Sequence, residues 1–273
     1  MTEREIPTVL SIAGSDSGGG AGIQADLKAI ARCGAHGMTA ITALTAQNTI
    51  GVNAIEAVSP AMIVEQIRAV TADIGVDAVK IGMLGTVETI DAVAEGLGLI
   101  DSGVPVVLDP VMVAESGADL LAEDARESLV KEILPRATVA TPNIPEAFAL
   151  TGLDTAAGQT ELAEAVRALG PPIVVVTGGH SSGLIDLYAD GEQIVEIEGA
   201  EYDATSSHGS GCTHSSALAA MLALGLDPLA AARSARALAS EAVGNGLDSI
   251  GEGPGPVDVF GLAGVTHDRV ENG

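Results

Sequence analysis

From residue 8 almost to the end of the chain, short apolar runs rich in β-branched residues alternate with longer stretches of helical character. This alternation is the most restrictive feature of the sequence, because a mostly parallel sheet flanked by helices is the architecture that buries such a series. Strands are expected over 8–13, 38–44, 78–81, 104–108, 138–140, 173–177, 184–188 and 194–197. Helices are expected over 22–32, 60–71, 87–96, 121–133, 144–150, 161–169, 213–224 and 228–246. Asp190-Gly191, between the last two strand runs, is a strong hairpin signal, so the late part of the sheet is expected to be antiparallel. The stretch 215–226 is apolar almost all round, which marks a buried helix. No repeat, low-complexity tract or long linker breaks the series. A single α/β domain over 1–273 is expected, with short tails at about 1–6 and 265–273.

Charge excludes several function classes. The chain carries 37 acidic and 12 basic side chains, a formal net charge of −25, so it has no broad basic surface for nucleic-acid phosphates. Phe148, Tyr188, Tyr202 and Phe260 are too few for base-stacking platforms. No apolar run approaches the roughly 18 residues of a membrane span. The opening residues lack the basic and apolar segments of a secretory signal, and a cytoplasmic location without membrane or nucleic-acid partners is expected. Cys33 and Cys212 are no disulfide framework, which agrees with a reducing compartment. The acid excess beside only three lysines reads as adaptation to concentrated salt, where the Debye length shrinks to about 3 Å and self-repulsion is screened.

Four segments carry chemistry. Ala13-Gly-Ser-Asp-Ser-Gly-Gly-Gly-Ala-Gly-Ile-Gln-Ala-Asp26 follows the first strand, and its five glycines within 14–22 let backbone approach a ligand; a plain strand-to-helix turn would use the same residues. No Gly-Lys-Ser/Thr follows, so it is not a P-loop. Thr205-Ser-Ser-His-Gly-Ser-Gly-Cys-Thr213 opens the buried helix, whose N-terminal N–H groups form a natural anion site. There Gly209, Ser210 and Gly211 shape the turn, and Cys212 is either a thiol activated by the helix terminus or a small buried cap residue. Asp109, at a strand end, and Asn143 and Glu146, at a helix start, offer oxygen donors suited to Mg²⁺, although Asn143 would serve equally as an N-cap. Gln47, after another strand, carries the donor and acceptor needed to read a heterocycle edge, or else is a turn residue facing solvent. The five histidines lack metal-ligand spacing, and no Gly-x-Ser-x-Gly elbow of an α/β-hydrolase is present.

In their order, these segments resemble the hydroxymethylpyrimidine/phosphomethylpyrimidine kinases of thiamine biosynthesis, within the ribokinase-like superfamily. The likeness runs from about residue 8 to about residue 260. It adds Ile41-Thr-Ala-Leu-Thr-Ala-Gln-Asn-Thr49, Lys80-Ile-Gly-Met-Leu84, Leu108-Asp-Pro-Val-Met112 and Thr177-Gly-Gly-His180 to the motifs above. The resemblance implies a three-layer ribokinase-like fold and ATP-dependent phosphorylation, with Mg²⁺, of a pyrimidine alcohol and then of its monophosphate. It implies that Gly14, Asp26, Gln47, Met83 and Val111 hold the pyrimidine. It places Gly209, Ser210, Gly211 and Cys212 at the catalytic anion hole. Asn143, Glu146, Thr177 and Gly179 would meet the nucleotide, and Asp109 with Glu146 the metal. The partners expected are the pyrimidine, ATP and a second copy of the chain in a homodimer. A pyridoxal-type kinase is the rival enzyme, and a pyrimidine-binding regulatory module the rival of another class.

The departures concern cations. Thr177, Glu115 and Glu252 stand where the family often carries lysine, so three charges that could face a triphosphate are missing. For the acid excess itself, the expected outcome is a melting temperature that rises steadily from dilute buffer to about 1 M KCl. Calorimetric scans across that range check it, and a flat or falling series would remove the salt-adaptation reading.

Overall fold

The structure, a computed structural model, describes residues 5–113, 117, 120–178, 185–200 and 206–265. Among the described residues nine strands join one sheet: β1 (Thr8–Asp16), β2 (His36–Gln47), β3 (Val52–Ala57), β4 (Ala78–Ile81), β5 (Val106–Leu108), β6 (Val139–Ala140), β7 (Ile173–Val176), β8 (Ile185–Ala189) and β9 (Ile194–Glu198). Their order is β3-β2-β1-β4-β5-β6-β7-β8-β9. The strands from β2 through β1 and β4 to β7 run parallel, while β3 at one edge and β8 and β9 at the other are antiparallel. The hairpin expected at Asp190-Gly191 joins β8 to β9, with Gly191 at φ 88°.

Eight α-helices among the described residues cover the sheet: α1 (Gly22–Arg32), α2 (Pro60–Asp73), α3 (Val87–Leu97), α4 (Glu123–Ser128), α5 (Ile144–Thr151), α6 (Gln159–Arg167), α7 (Ser210–Ala223) and α8 (Pro228–Gly244). Strand alternation sorts their packing. Leu10, Ile12, Val79, Ile81, Val106 and Leu108 point to one face, against residues of α2 to α6. Val9, Ala78 and Val107 point to the other, where Ala217–Ala220 of α7 and Ala232 and Ala235 of α8 close the core. Alanine stripes allow α7 and α8 to lie near the strands. α7 is buried from Thr213 to Ala220, as its apolar circumference requires.

Two expectations change. The strand β3 was not expected: Val52–Ala57 is mostly exposed, so it needs no apolar face, and its pairing with β2 rests on backbone hydrogen bonds. The helix expected over 121–133 is α-helical only over Glu123–Ser128, then widens over Leu129–Ile133 and tightens over Leu134–Arg136. Pro135 has no N–H to continue the ladder. Among the described residues, no helix is long and apolar enough to cross a membrane.

From the edge strand β3 the chain crosses back over β2 and β1 to β4, so β1 and β4 flank the point where the direction of winding reverses. Ligands of open α/β sheets bind outside the carboxyl ends of such strands. Those ends here carry Asp16, Gly82, Asp109, Thr141 and Thr177.

Candidate active site

A cavity of about 430 Å³ opens at these strand ends. Gly14, Gln47, Met83, Val111, Asp109, Asn143, Glu146, Thr177, Gly209, Ser210, Gly211 and Cys212 all line it. Gly179 and Glu115 lie outside the described residues.

At one end stand Gly14, Gln47, Met83 and Val111. A side chain at Gly14 would come within 2.6 Å of Met83 Cε, so the glycine leaves the methionine its place in the wall. Gln47 ends β2 half-buried, and its backbone is tied to the first loop by Ser17 Oγ, which donates to Gln47 O (2.6 Å) and accepts from Gln47 N (2.8 Å). The Thr45 hydroxyl, whose one proton is shared between Ser15 O (2.9 Å) and Gln47 Oε1 (3.1 Å), helps orient the amide. Gln47 is thus a held wall residue, not a turn residue facing solvent.

Asp26 requires a correction. It was expected to touch the pyrimidine, but it is fully buried below the cavity wall. Its carboxylate accepts from Ser11 Oγ (2.6 Å), Ser216 Oγ (2.8 Å) and Lys80 Nζ (2.8 Å). A carboxylate in the interior persists only when paired and hydrogen-bonded, and here those bonds hold it to the protein.

In the middle, α7 begins at Ser210 with Gly209 before it at φ 87° and no side chain capping the first turn. A Cβ on Gly209 would collide with the Gly20 carbonyl oxygen, so only glycine permits the anion turn to press against the first loop. Asp16 locks the same two segments. It accepts from the backbone N–H groups of Gly18 (2.7 Å), Gly20 (3.0 Å) and Ala21 (2.8 Å). His208 Nε2 lies 3.0 Å from its Oδ2. Burial raises the Asp16 pKa, but these hydrogen bonds, His208 first, more than offset it and hold the carboxyl below its ordinary value. An ionised carboxylate only accepts, so Nε2 of His208 donates. Sequence reading passed over Asp16 and His208, although both lie within quoted motifs.

Toward the far end, the wall is formed by Thr177, Asp186, His214, Arg236, Ala239, Ser240 and Val243. His214 Nε2 and Arg236 Nη1 stand 3.4 and 3.6 Å from the Asp186 carboxylate. Burial, with Arg236 adding to it and Asp186 opposing, holds the His214 pKa below its ordinary value and keeps the ring neutral. None of these residues except Thr177 was singled out in the sequence, because they are scattered over β8, α7 and α8.

Asn143 and Glu146 form a reciprocal cap on α5: Glu146 N donates to Asn143 Oδ1 (2.8 Å) and Asn143 N to Glu146 Oε2 (2.9 Å). Both still line the cavity, so the N-cap and the site use the same residues. Of the three positions where the resemblance implied lysine, Thr177 is on the wall; Glu252 is exposed in a loop whose Gly253 N–H bonds Thr49 Oγ1 (3.2 Å), off the cavity lining.

One cavity thus joins an end lined by Gln47 and Met83, an uncapped glycine turn on a buried helix and an end lined by Thr177, Asp186 and Arg236. A family model described as phosphomethylpyrimidine kinase matches residues 16–258, nearly all of this arrangement. The chain belongs to the phosphomethylpyrimidine kinase family. A hydroxymethylpyrimidine/phosphomethylpyrimidine kinase of Rhizobium meliloti is 47% identical over 258 residues, covering 92% of this chain and 96% of the relative. The thiamine biosynthesis bifunctional protein ThiED of Geobacter sulfurreducens is 43% identical over 96% of this chain and 54% of its own length. Among solved structures, pyridoxal kinase from Staphylococcus aureus in complex with AMP-PCP and pyridoxal superposes with a TM-score of 0.85 at 32% identity, over 96% of each chain. The ribokinase-like fold expected from the sequence is the fold observed.

For a phosphomethylpyrimidine kinase family member the state of Cys212 matters. The helix terminus was expected to favour a thiolate. Instead burial pushes the thiol up to about 12; Lys80 and a hydrogen bond from the Gly22 backbone oppose this, while Asp26 and Asp109 add to it. Cys212 therefore rests as a neutral thiol at the anion turn. Cys33 is pushed up to about 11, chiefly by burial. Since the thiolate is the reactive form, both cysteines are expected to resist a disulfide reagent at pH 7.5 in the folded protein and to react at once in denaturant. Thiol titration with and without guanidinium reads this directly.

Proposed function

We propose that this protein transfers the γ-phosphoryl group of ATP to 4-amino-5-hydroxymethyl-2-methylpyrimidine and then to its monophosphate, as a cytoplasmic enzyme of thiamine biosynthesis. The observation that carries the reading is the single cavity in which Gln47 and Met83 stand at one end, the α7 anion turn in the middle, and the wall of Thr177, Ser240 and Val243 at the other. The kinship with hydroxymethylpyrimidine/phosphomethylpyrimidine kinases supports the substrate, and the solved relative with an ATP analogue supports the phosphoryl donor.

In the first transfer the hydroxymethyl oxygen attacks the γ-phosphorus, its proton passes to water in the cavity, and the bond to the β–γ bridging oxygen breaks as ADP leaves. In the second, a phosphate oxygen already deprotonated near neutral pH is the nucleophile. Gln47, held by Thr45 and Ser17, reads the ring nitrogen and exocyclic amine. The N–H groups at the start of α7 face the charge that builds on the transferred group. Cys212 stands there as a neutral donor, so positioning and charge stabilisation are its contribution to both steps. The lines of the cavity offer oxygen donors that suit Mg²⁺: Asp109 and Glu146 would hold it, and bound with the triphosphate it would neutralise phosphate charge. Among the described residues no three His, Cys, Asp or Glu side chains converge, so that ion would depend on phosphate oxygens and water for its remaining ligands. With the usual lysine replaced by Thr177, more of the neutralisation falls to the metal and the helix terminus.

A second reading, phosphorylation of pyridoxal, is favoured by the solved pyridoxal kinase that shares the fold at 0.85. ADP formation dependent on each added alcohol, with product masses, separates the two; no ADP with either would leave a binding module. Gln47→Ala is expected to raise the pyrimidine KM by the equivalent of about 1–3 kcal/mol while the ATP KM stays nearly constant. Equal changes in both constants would take Gln47 out of the pyrimidine end. Cys212→Ala is expected to slow both transfers by a similar factor and Cys212→Ser to restore most of each. Single-turnover rates of the separate steps test this, and a loss confined to the first transfer would make Cys212 a base instead.

A further inference from the structure

We infer that Lys80 is a positioning residue for phosphoryl transfer, a fixed positive charge held beneath Cys212 and Asp109 that strengthens the anion turn of α7. The inference rests on the kinase reading above and concerns a residue that reading does not use.

The chain has three lysines. Lys131 is mostly exposed, and Lys28 donates to the Gly19 carbonyl at 2.7 Å. Lys80 has no exposed surface at all, yet it lines the cavity. Alternation along β4 turns it, like Ala78, toward α7. Asp26 fixes it from below at 2.8 Å, and Asp26 is itself filled by Ser11 and Ser216. Gly82 makes the room above: a Cβ there would stand 2.8 Å from Lys80 Nζ.

Consecutive residues of α7 complete the unit. Ser216 binds Asp26, and Ser215 Oγ donates to Asp109 Oδ2 at 2.9 Å. The helix that carries the anion turn is therefore bonded to both carboxylates around the ammonium. Burial pulls the Lys80 pKa down, but the charge and hydrogen bond of Asp26, with Asp109 adding to them, more than offset it and hold the pKa above its ordinary value, so the group stays charged. A buried ion pair is commonly no more stable than apolar residues of the same volume. The position of this one, at the cavity floor in a chain with so few lysines, is explained by a charge needed there. Lys80 keeps its protons throughout the transfer and acts through its field on the turn above.

The test separates charge from packing. In Lys80→Met combined with Asp26→Asn the pair is replaced by two neutral residues. The expected result is a melting temperature close to wild type, pyrimidine and ATP KM values within about threefold, and kcat lower by about 100-fold or more. A kcat within about threefold of wild type, or a loss confined to KM, overturns the inference. Should the double variant not fold, Gly82→Ala decides: its new methyl displaces the flexible end of Lys80 and leaves the charge in the molecule. It is expected to lower the melting temperature, because the buried pair is strained and the methyl also meets Ala13 Cβ at 3.1 Å, but to fold, keep both KM values and lose about tenfold or more in kcat; an unchanged kcat overturns the inference. Wild-type protein assayed alongside guards the reading beneath it, since no pyrimidine-dependent ADP from wild type would remove the kinase function itself.

Discussion

Polar groups placed in a dry interior must be satisfied there, and in this protein that requirement joins the helix that carries the chemistry to the centre of the sheet. Asp26, Lys80, Asp109, Ser215 and Ser216 lie between α1, α7 and the strands β4 and β5, with little or no exposure. Breaking such a pair by removing one partner leaves an uncompensated charge that costs about 3–5 kcal/mol. α7 therefore cannot shift relative to β1, β4 and β5 without exposing a carboxylate to apolar surroundings. The anion turn at its start inherits that rigidity.

A second set of contacts fixes the turn from the other side. Asp16 gathers three backbone N–H groups of the first loop and the His208 ring, and Gly209 lies directly against the Gly20 carbonyl. The loop that reaches toward Gln47 and the turn that would receive phosphate thus form one body. Preorganisation of this kind spares the reaction the cost of aligning donors as charge develops. It also explains the density of glycine in both motifs, which follows from the closeness of two backbones more than from flexibility.

The positions where the resemblance implied lysine lie at different depths. Glu252 is exposed. Thr177, a neutral residue, lies on the cavity wall. In the interior Lys80 persists. The acidic and basic side chains that line the cavity are Asp16, Asp109, Glu146, Asp186, Lys80 and Arg236, with histidines 208 and 214 beside them.

Much of the fold was legible in the chain because periodicity is local: β4 and α1 appear at their expected bounds, and the burial of α7 follows from its apolar circumference. The edge strand β3 was not legible, since Val52–Ala57 faces solvent and is held by partner backbone alone. The glycine motifs, Gln47, Asp109 and the Asn143–Glu146 cap could be picked out for the same reason, each being a short run at an element boundary. What each residue touches could not. Asp26 sits in the most distinctive motif of the sequence, yet its partners come from β1, β4 and α7, at separations of 15, 54 and 190 residues, and they turn a presumed ligand contact into a buried support. Likewise the helix terminus argued for a Cys212 thiolate, and burial beside Asp26 and Asp109 reversed it. The sequence by itself determined most of the elements, their order and the residue types at their boundaries, because these depend on neighbours along the chain. Only the tertiary structure decided which carboxylates stay charged, which face the cavity and which serve the core, because desolvation and pairing depend on neighbours in space.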